Sequence, residues 1–147
     1  MLQPYANNEL KRLTKTPKLY FYDTGLYAAL SMWLTRDTLM NGAASGHYFE
    51  NYDVMELLKN FAYSSSKVNM TYYRDSNAKE IDIFVGENNV IHPLEIKKSA
   101  NPDKREVKKY QLLDKAKLVR GNGGIVCMCE EVIPIDEKDC FIPCNLI

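Results

Sequence analysis

The sequence contains no hydrophobic run long enough to cross a membrane. Its longest mostly apolar stretch extends only from Leu26 to Leu34, whereas a membrane-spanning helix needs about 20 consecutive apolar residues. The first residues also lack the pattern of positive charge followed by an apolar stretch that directs proteins to export. We therefore expect a cytoplasmic chain that has no membrane partner.

The sequence also lacks net charge. Its 19 lysines and arginines balance its 19 aspartates and glutamates, so the chain has no overall positive charge to drive tight, sequence-independent binding of nucleic acids. The charges are nevertheless uneven, because the charged residues in 97–120 are mostly basic and the charged residues after them are mostly acidic. Any binding of nucleic acid is therefore expected to be local.

A phosphate-binding loop of the form G-x-x-x-x-G-K-[ST] is absent, so we expect that this chain does not bind ATP. Cysteine is confined to the last 21 residues, at Cys127, Cys129, Cys140 and Cys144. This set is too sparse for an extracellular disulfide scaffold. The C-x-C and C-x3-C spacings leave a zinc site open, but no histidine lies nearby, and reduced, mostly buried thiols are the interpretation we favour.

What is present fits one domain of 147 residues. A basic lead-in at 11–18 and a strand at 19–22 precede a helix that Asp23 or Thr24 caps, with Leu26, Leu30, Trp33 and Leu34 as its core stripe. The later elements are a helix from Ser45 to about Tyr63, strands at 68–74, 79–85 and 90–97, a basic helix at 101–117, and a strand at 125–129. This order predicts an α/β or α+β fold, with a mixed central sheet flanked by helices.

Glu50 begins an apolar stripe on the predicted long helix. Steps of three and four residues lead from it to Val54, Leu57 and Phe61. The residues of the other face are polar: Asp53, Glu56 and Asn60. An inward carboxylate costs several kcal/mol unless it meets a cation or hydrogen-bond donors. The alternative interpretation is a surface acid that favours the helix dipole.

Acidic and basic residues share one face of the two following strands. The period of two places Ile81, Ile83 and Val85 on one face and Asp82 on the other. On the next predicted strand, 90–97, the same period places Glu95 and Lys97 together on one face.

A hairpin through residues 86–89 would bring Asp82 to the face of Glu95 and Lys97. With a two-residue turn at Asn88-Asn89, Asp82 would lie directly across from Glu95. Two such charges repel by about 4 kcal/mol at 4 Å and an effective dielectric constant near 20. Either Lys97 or a magnesium ion could compensate them. Pro93 makes this register uncertain, because proline requires an edge, a bulge or a strand that begins after it.

Several short sequence segments together carry a family resemblance. They are residues 18–26 (KLYFYDTGL), 46–51 (GHYFEN), 73–75 (YRD), 80–82 (EID) and 93–97 (PLEIK). The acid on one strand, the Glu-x-Lys on the next and the glutamate on a preceding helix resemble the PD-(D/E)XK restriction-endonuclease-like superfamily. The longer segments are similar to a domain of unknown function that follows the ATPase core in bacterial and archaeal AAA-type ATPases.

The resemblance implies a restriction-endonuclease-like fold at 23–147, joined through a lead-in at 1–22 to an AAA-type ATPase core. It implies that Asp82, Glu95 and the carbonyl of Ile96 hold magnesium or manganese, that Lys97 is the catalytic lysine, and that Glu50 is an accessory acid. The function implied is magnesium-dependent cleavage of DNA. The alternative is a catalytically silent module that binds nucleic acid or docks onto an ATPase core, because fold alone does not establish activity.

The remaining candidate residues are basic and would contact the phosphate backbone: Arg74, Lys98, Lys104, Arg105 and Lys108. The competing interpretation of this basic stretch is an amphipathic helix whose Val107, Leu112, Leu113 and Ala116 pack inward. Tyr72 and Tyr73 could stack on bases or pack within the sheet.

Overall fold

A mixed sheet of eight strands is the centre of the computed structural model, which describes residues 1–6, 16–65, 67–75 and 79–147. The strands are β1 (Gln3–Pro4), β2 (Asn69–Arg74), β3 (Glu80–Glu87), β4 (Val90–Lys97), β5 (Val119–Arg120), β6 (Gly123–Cys127), β7 (Ile133–Pro134) and β8 (Asp139–Pro143). The helices are α1 (Thr24–Leu30), α2 (Arg36–Asn41), α3 (Ser45–Tyr63) and α4 (Gln111–Lys115), and 3-10 helices span Lys104–Tyr110 and Cys144–Leu146. The predicted class, a mixed sheet flanked by helices, is confirmed.

The sheet runs in the order β1-β2-β3-β4-β6-β8-β7, and β5 also pairs with β4. β2, β3 and β4 form an antiparallel meander, after which β4, β6 and β8 pair in parallel. Each face buries a hydrophobic cluster. On one face α3 packs Val54 and Leu57 against Ile83 and Val126. On the other, Tyr110 and Leu113 pack against Ile81 and Phe84.

The hairpin between β3 and β4 has the two-residue turn that the sequence suggested. Glu87 pairs with Val90, and Asn88 and Asn89 have φ angles of 49° and 64°. Two consecutive positive φ angles are typical of a type I′ turn, whose twist matches that of the flanking strands. The described pairing continues to Ile83 and Leu94.

Pro93 lies inside the sheet, which none of the three sequence alternatives anticipated. It pairs with Phe84 of β3, but on the other side of β4 the partner changes at this point. β5 pairs as far as Ile91, and β6 begins to pair at Leu94. Proline, which has no N–H to donate, therefore occupies the gap between two parallel partners.

The prediction that Ile81 shares a face with Ile83 and Val85 was wrong. Ile81 packs with Phe84 in the opposite cluster. The β2–β3 register shifts between Thr71 and Tyr73, and such a bulge breaks the simple alternation of faces.

The strand predicted at 19–22 is absent from the described structure. Just before this segment, Lys18 forms an isolated antiparallel bridge with Leu2. The backbone of Phe21 instead bonds to a side chain, because Asn51 Oδ1 accepts its N–H at 2.7 Å and Asn51 Nδ2 donates to its carbonyl at 2.9 Å. Of the basic lead-in predicted at 11–18, residues 11–15 lie outside the described residues.

The prediction for the first helix was correct at its start and wrong at its end. Asp23 caps α1 by accepting the N–H of Leu26 at 2.9 Å. The helix ends at Leu30, and Met32 has a φ of 58°. The predicted core stripe is not buried, because Leu26, Leu30 and Leu34 are 52%, 65% and 72% exposed.

The long helix runs from Ser45 to Tyr63, as predicted, but its N-cap is Ala44. Val54 and Leu57 face the core, as predicted. The prediction that Asp53 lies on the polar face was wrong, because Asp53 is completely buried. Neither of its carboxylate oxygens has a hydrogen-bond partner among the described residues.

The basic helix predicted at 101–117 is two shorter helices, a 3-10 segment that Asp103 caps and then α4. Val107, Leu112 and Leu113 pack inward, as the amphipathic interpretation required. The strand predicted at 125–129 begins earlier, at Gly123. A Cβ at Gly123 would lie 2.6 Å from the carbonyl oxygen of Pro93, so the close approach of β6 to β4 at this position requires glycine.

Tyr72 and Tyr73 both pack within the protein, as their sheet interpretation expected. Tyr72 is 2% exposed and donates its hydroxyl to the carbonyl of Thr16 at 2.6 Å. Tyr73 stacks on Phe84 with ring centroids 5.3 Å apart. Across the described ranges, none of the helices has the length and apolar character needed to cross a membrane.

Candidate functional site

An open cleft of about 570 Å³ lies where β3 and β4 meet the helical segment 104–115. We call it the β3–β4 cleft. Its lining residues are Lys79, Glu80, Asp82, Glu95, Lys97, Lys108, Lys109, Gln111 and Leu112. Three of the residues expected to form the site, Asp82, Glu95 and Lys97, therefore line one cavity.

Asp82 is fixed by the backbone of the neighbouring strand. Its Oδ2 accepts the N–H of Ile96 at 2.9 Å. Burial raises the pKa of Asp82, and the charge of Glu50 adds to this effect, whereas the hydrogen bond from Ile96 lowers the pKa. The half-buried carboxyl group thus has one firm donor and is close to a second acid.

Glu95 is the most deeply buried acid of the cleft, with an exposed fraction of 1%. Its Oε1 has no hydrogen-bond partner among the residues that the structure describes. Burial raises the pKa of Glu95 to about 7, and the negative charge of Asp82 contributes to this rise. A buried oxygen that lacks a donor is costly, and a cation in the cleft would remove that cost.

Lys97 and two residues that the sequence did not single out, Glu106 and Lys109, surround Glu95. Lys97 and Lys109 lie 3.3 and 3.0 Å from Glu95 Oε2. Glu106 completes a ring of alternating charge, at 2.6 Å from Lys109 and 3.8 Å from Lys97. The only sequence signal for these residues was the i,i+3 spacing of Glu106 and Lys109, which is also common on solvated helices.

Glu50 lines a neighbouring cleft of about 420 Å³, which we call the Glu50 cleft. Tyr20 donates its hydroxyl to Glu50 Oε1 at 2.5 Å, and Lys18 Nζ lies 3.2 Å from the same oxygen. Burial and the charge of Glu50 raise the pKa of Tyr20, so the phenol remains protonated and donates. Glu50 is therefore an inward carboxylate with two donors.

Lys18 and Glu80 join the two clefts. Lys18 forms an ion pair with Glu80, which lines both cavities. Glu80 also pairs with Arg74 at 2.5 Å. Burial lowers the pKa of Lys18, but the carboxylates of Glu80, Glu50 and Asp82 together outweigh it and raise the pKa. Lys18 is therefore held as a cation among three acids from two elements, Glu50 of α3 and Glu80 and Asp82 of β3.

The carboxylates of Asp82 and Glu95 are chemically suited to magnesium or manganese. Both ions prefer oxygen ligands, and magnesium commonly keeps several waters with only one or two protein carboxylates. Glu95 Oε1 is the unsatisfied oxygen that such an ion would need. Within the described ranges, no group of three or more histidine, cysteine, aspartate and glutamate residues is arranged to hold a metal. An ion here would depend on two carboxylates, a backbone carbonyl such as that of Ile96, and water.

The four cysteines are free thiols. Burial raises the pKa of Cys127 to about 11, so this thiol is protonated at neutral pH.

The basic residues expected to contact nucleic acid are in different situations. Arg105 pairs with Asp103 at 2.6 Å, and Lys98 donates to the carbonyl of Met40 and to Ser45 Oγ. Lys104 is exposed, and Lys108 is exposed at the margin of the β3–β4 cleft.

Asn51 is a further residue that sequence reasoning missed. It is 3% exposed, and its side chain holds both backbone groups of Phe21. These bonds fix the extended segment that carries Lys18 and Tyr20 against α3. Asn51 therefore positions both donors of Glu50.

Comparison with known proteins found no match among curated proteins and none among solved structures. Residues 1–37 match a family model described as a domain of unknown function (DUF8612). Residues 45–147, which are more than half of the chain and include Glu50, Asp82, Glu95 and Lys97, match a second model with the description domain of unknown function (DUF4143). The chain therefore belongs to the DUF4143 family.

Proposed function

We propose that the β3–β4 cleft is a magnesium-dependent nuclease site that acts on DNA phosphodiesters. The observation that carries this proposal is the unpartnered Oε1 of buried Glu95, in a cleft that also contains Asp82 and Lys97. Two carboxylates kept close together at the expense of stability are expected where they serve to bind a cation. Manganese would serve in the same position.

In this proposal, Asp82, Glu95 and the backbone carbonyl of Ile96 bind the ion. Magnesium would supply an acidified water and neutralise the negative charge that develops on the phosphate. Lys97, 3.3 Å from Glu95, would orient the attacking water or accept its proton. The hydrogen bond from Ile96 keeps Asp82 turned into the cleft before any ligand arrives.

The lysines of the cleft would bind the substrate. Lys79, Lys97, Lys108 and Lys109 all line it, and phosphate oxygens are natural partners for ammonium groups. The clustering of these lysines explains how a chain with no net charge could still attract a polyanion locally.

A second candidate function is a catalytically silent module on the same scaffold. The observation that favours it is the ring of Lys97, Glu95, Lys109 and Glu106, because a lysine already held by two carboxylates is less available to a water molecule. Such a module would bind nucleic acid or dock onto an AAA-type ATPase core. We propose that core as the partner in either case, N-terminal to this domain.

Calorimetric titration of magnesium and manganese, followed by a plasmid-nicking assay, tests the nuclease proposal. The wild type should bind the ion and nick DNA, and Asp82→Asn should lose both properties while it remains folded. Asp37→Asn is the matched control, because Asp37 is exposed on α2. Absence of nicking with either metal would contradict the nuclease proposal. In the silent module, Asp82→Asn would only raise stability by relieving repulsion.

A further inference from the structure

Lys18 contacts the acidic residues from outside the segment that matches the DUF4143 model. Lys18 lies in the region that matches the other family model, 1–37, whereas Glu50, Glu80 and Asp82 lie within 45–147. Its ammonium nevertheless forms ion pairs with Glu50 and Glu80, and it also interacts electrostatically with Asp82. A side chain of the N-terminal region thus neutralises carboxylates of the other region.

The position of Lys18 is fixed by its backbone. Leu2 and Lys18 exchange two backbone hydrogen bonds, of 2.8 and 3.0 Å. Tyr72 of β2 donates to the carbonyl of Thr16, two residues before Lys18. The side chain of Lys18 is only 20% exposed. Both the segment and the ammonium group are therefore anchored.

The charges around Lys18 indicate what its removal would leave. Glu50, Glu80 and Asp82 carry three negative charges when ionised. Lys18 acts on all three, Arg74 pairs with Glu80, and Lys97 interacts electrostatically with Asp82. Without Lys18, Glu50 and Glu80 would lose a shared counter-ion beside Asp82. Oxygen-rich, negatively charged positions of this kind attract divalent cations.

We propose that Lys18 is an internal cation that prevents a divalent ion from binding to Glu50 and Glu80, so that the joined clefts accept one ion and not two. This inference rests on the proposed function, in which Asp82 and Glu95 hold the first ion. It assigns a regulatory contact to the N-terminal segment, because any movement of that segment that withdraws Lys18 would open the second position.

The test is to count the manganese ions bound by the full chain, by isothermal titration calorimetry and by electron paramagnetic resonance. The wild type should bind one ion and Lys18→Met two. The double variant Lys18→Met/Glu50→Gln should again bind one, and Lys18→Arg, which keeps the charge, should also bind one. Lys59→Met is the matched control, because Lys59 pairs with Glu56 at 2.8 Å on α3 and should leave the count at one.

The outcomes separate this inference from the proposed function. If Lys18→Met binds no more ions than the wild type, the role of Lys18 is overturned even where the wild type binds one ion. If the wild type binds none but Lys18→Met gains one that Glu50→Gln removes, the role of Lys18 stands and the proposed site at Asp82 and Glu95 is overturned.

A further variant remains informative even if Lys18→Met fails to fold. Glu50→Gln in the wild-type background should leave the ion count at one, because Lys18 already occupies Glu50. Loss of the bound ion in that variant would show that Glu50 holds it and would overturn the inference.

Discussion

Lys109 Nζ lies 3.0 Å from Glu95 Oε2, so the helical segment at 104–110 is tied to the central strand β4 by an ion pair whose acid is almost fully buried. The two residues are 14 positions apart in the sequence. The pair stabilises the charged form of Glu95, whose pKa burial otherwise raises. It also holds the segment 104–110, which lines one side of the β3–β4 cleft, against β4.

Replacing Lys109 with methionine should destabilise the protein. Removal of one partner leaves a buried carboxylate with less compensation, and because Lys109 is itself 37% exposed we expect a loss of about 1–2 kcal/mol in the free energy of unfolding. Urea denaturation measures this loss. Lys59→Met breaks an i,i+3 pair whose acid, Glu56, is 29% exposed, and should cost about 0.5 kcal/mol or less. Equal losses in the two variants would show that the burial of Glu95 has no effect.

The stability of the protein should fall as the pH rises through the range from about 4 to about 8. Burial raises the pKa of Asp53 from its usual 3.8 to about 8, with a smaller contribution from the charge of Glu56. In this range the folded protein holds a proton that the unfolded chain releases, so unfolding becomes easier as protons become scarce. Between pH 5 and pH 8 the contribution of Asp53 should decrease by about 4 kcal/mol.

Asp53→Asn isolates this contribution, because asparagine is similar in size and stays neutral. The difference in unfolding free energy between Asp53→Asn and the wild type should grow as the pH rises from 5 to 8, in favour of the variant. Asp37→Asn, at an exposed position of α2, serves as the control. A difference that is constant with pH would mean that Asp53 is ionised throughout the range.

Asn51→Ala should loosen the segment that carries Lys18 and Tyr20. The substitution removes both side-chain hydrogen bonds to the backbone of Phe21, at about 1 kcal/mol each. Hydrogen exchange at the Phe21 amide should accelerate by at least tenfold. Asn60→Ala, at an exposed position of α3, should leave that amide unchanged. Unaltered exchange in Asn51→Ala would indicate that other contacts hold the segment.

The turn between β3 and β4 should become more stable when Asn89 is replaced with glycine. Asn89 has a φ of 64°, which glycine adopts without the steric cost that side chains incur. We expect a rise of about 0.5 kcal/mol for Asn89→Gly and a loss of about 1 kcal/mol for Asn89→Ala. Thermal unfolding measures both changes. At an exposed helical position the order would be the opposite. There the alanine variant would be more stable than the glycine variant, because alanine favours helices.

Sequence patterns predicted the parts of the fold that short-range rules control. The turn at Asn88-Asn89 and the strand Val90–Lys97 follow from turn chemistry and alternation, and the helix Ser45–Tyr63 follows from its periodicity. Asp82 and Glu95 were placed on one face by the same reasoning, and both line one cleft.

Contacts between distant segments were not predictable in this way. The pairing of Asn51 with the backbone of Phe21 replaces a strand that the composition of 19–22 suggested. The burial of Asp53 contradicts its place in the polar pattern of α3, and the register shift in β2–β3 moves Ile81 to the other face. Each of these depends on a tertiary neighbour, about which local spacing carries no information.

The change of partner beside β4 separates the hairpin into two mechanically different halves. Before Pro93, β4 pairs on this side with the two-residue strand β5. Leu94 to Lys97 pair in continuous register with β6, which is buried throughout. Fraying that starts at the tip can therefore stop at the proline. Glu95 and Lys97 would keep their positions while the outer end of the hairpin opens and closes.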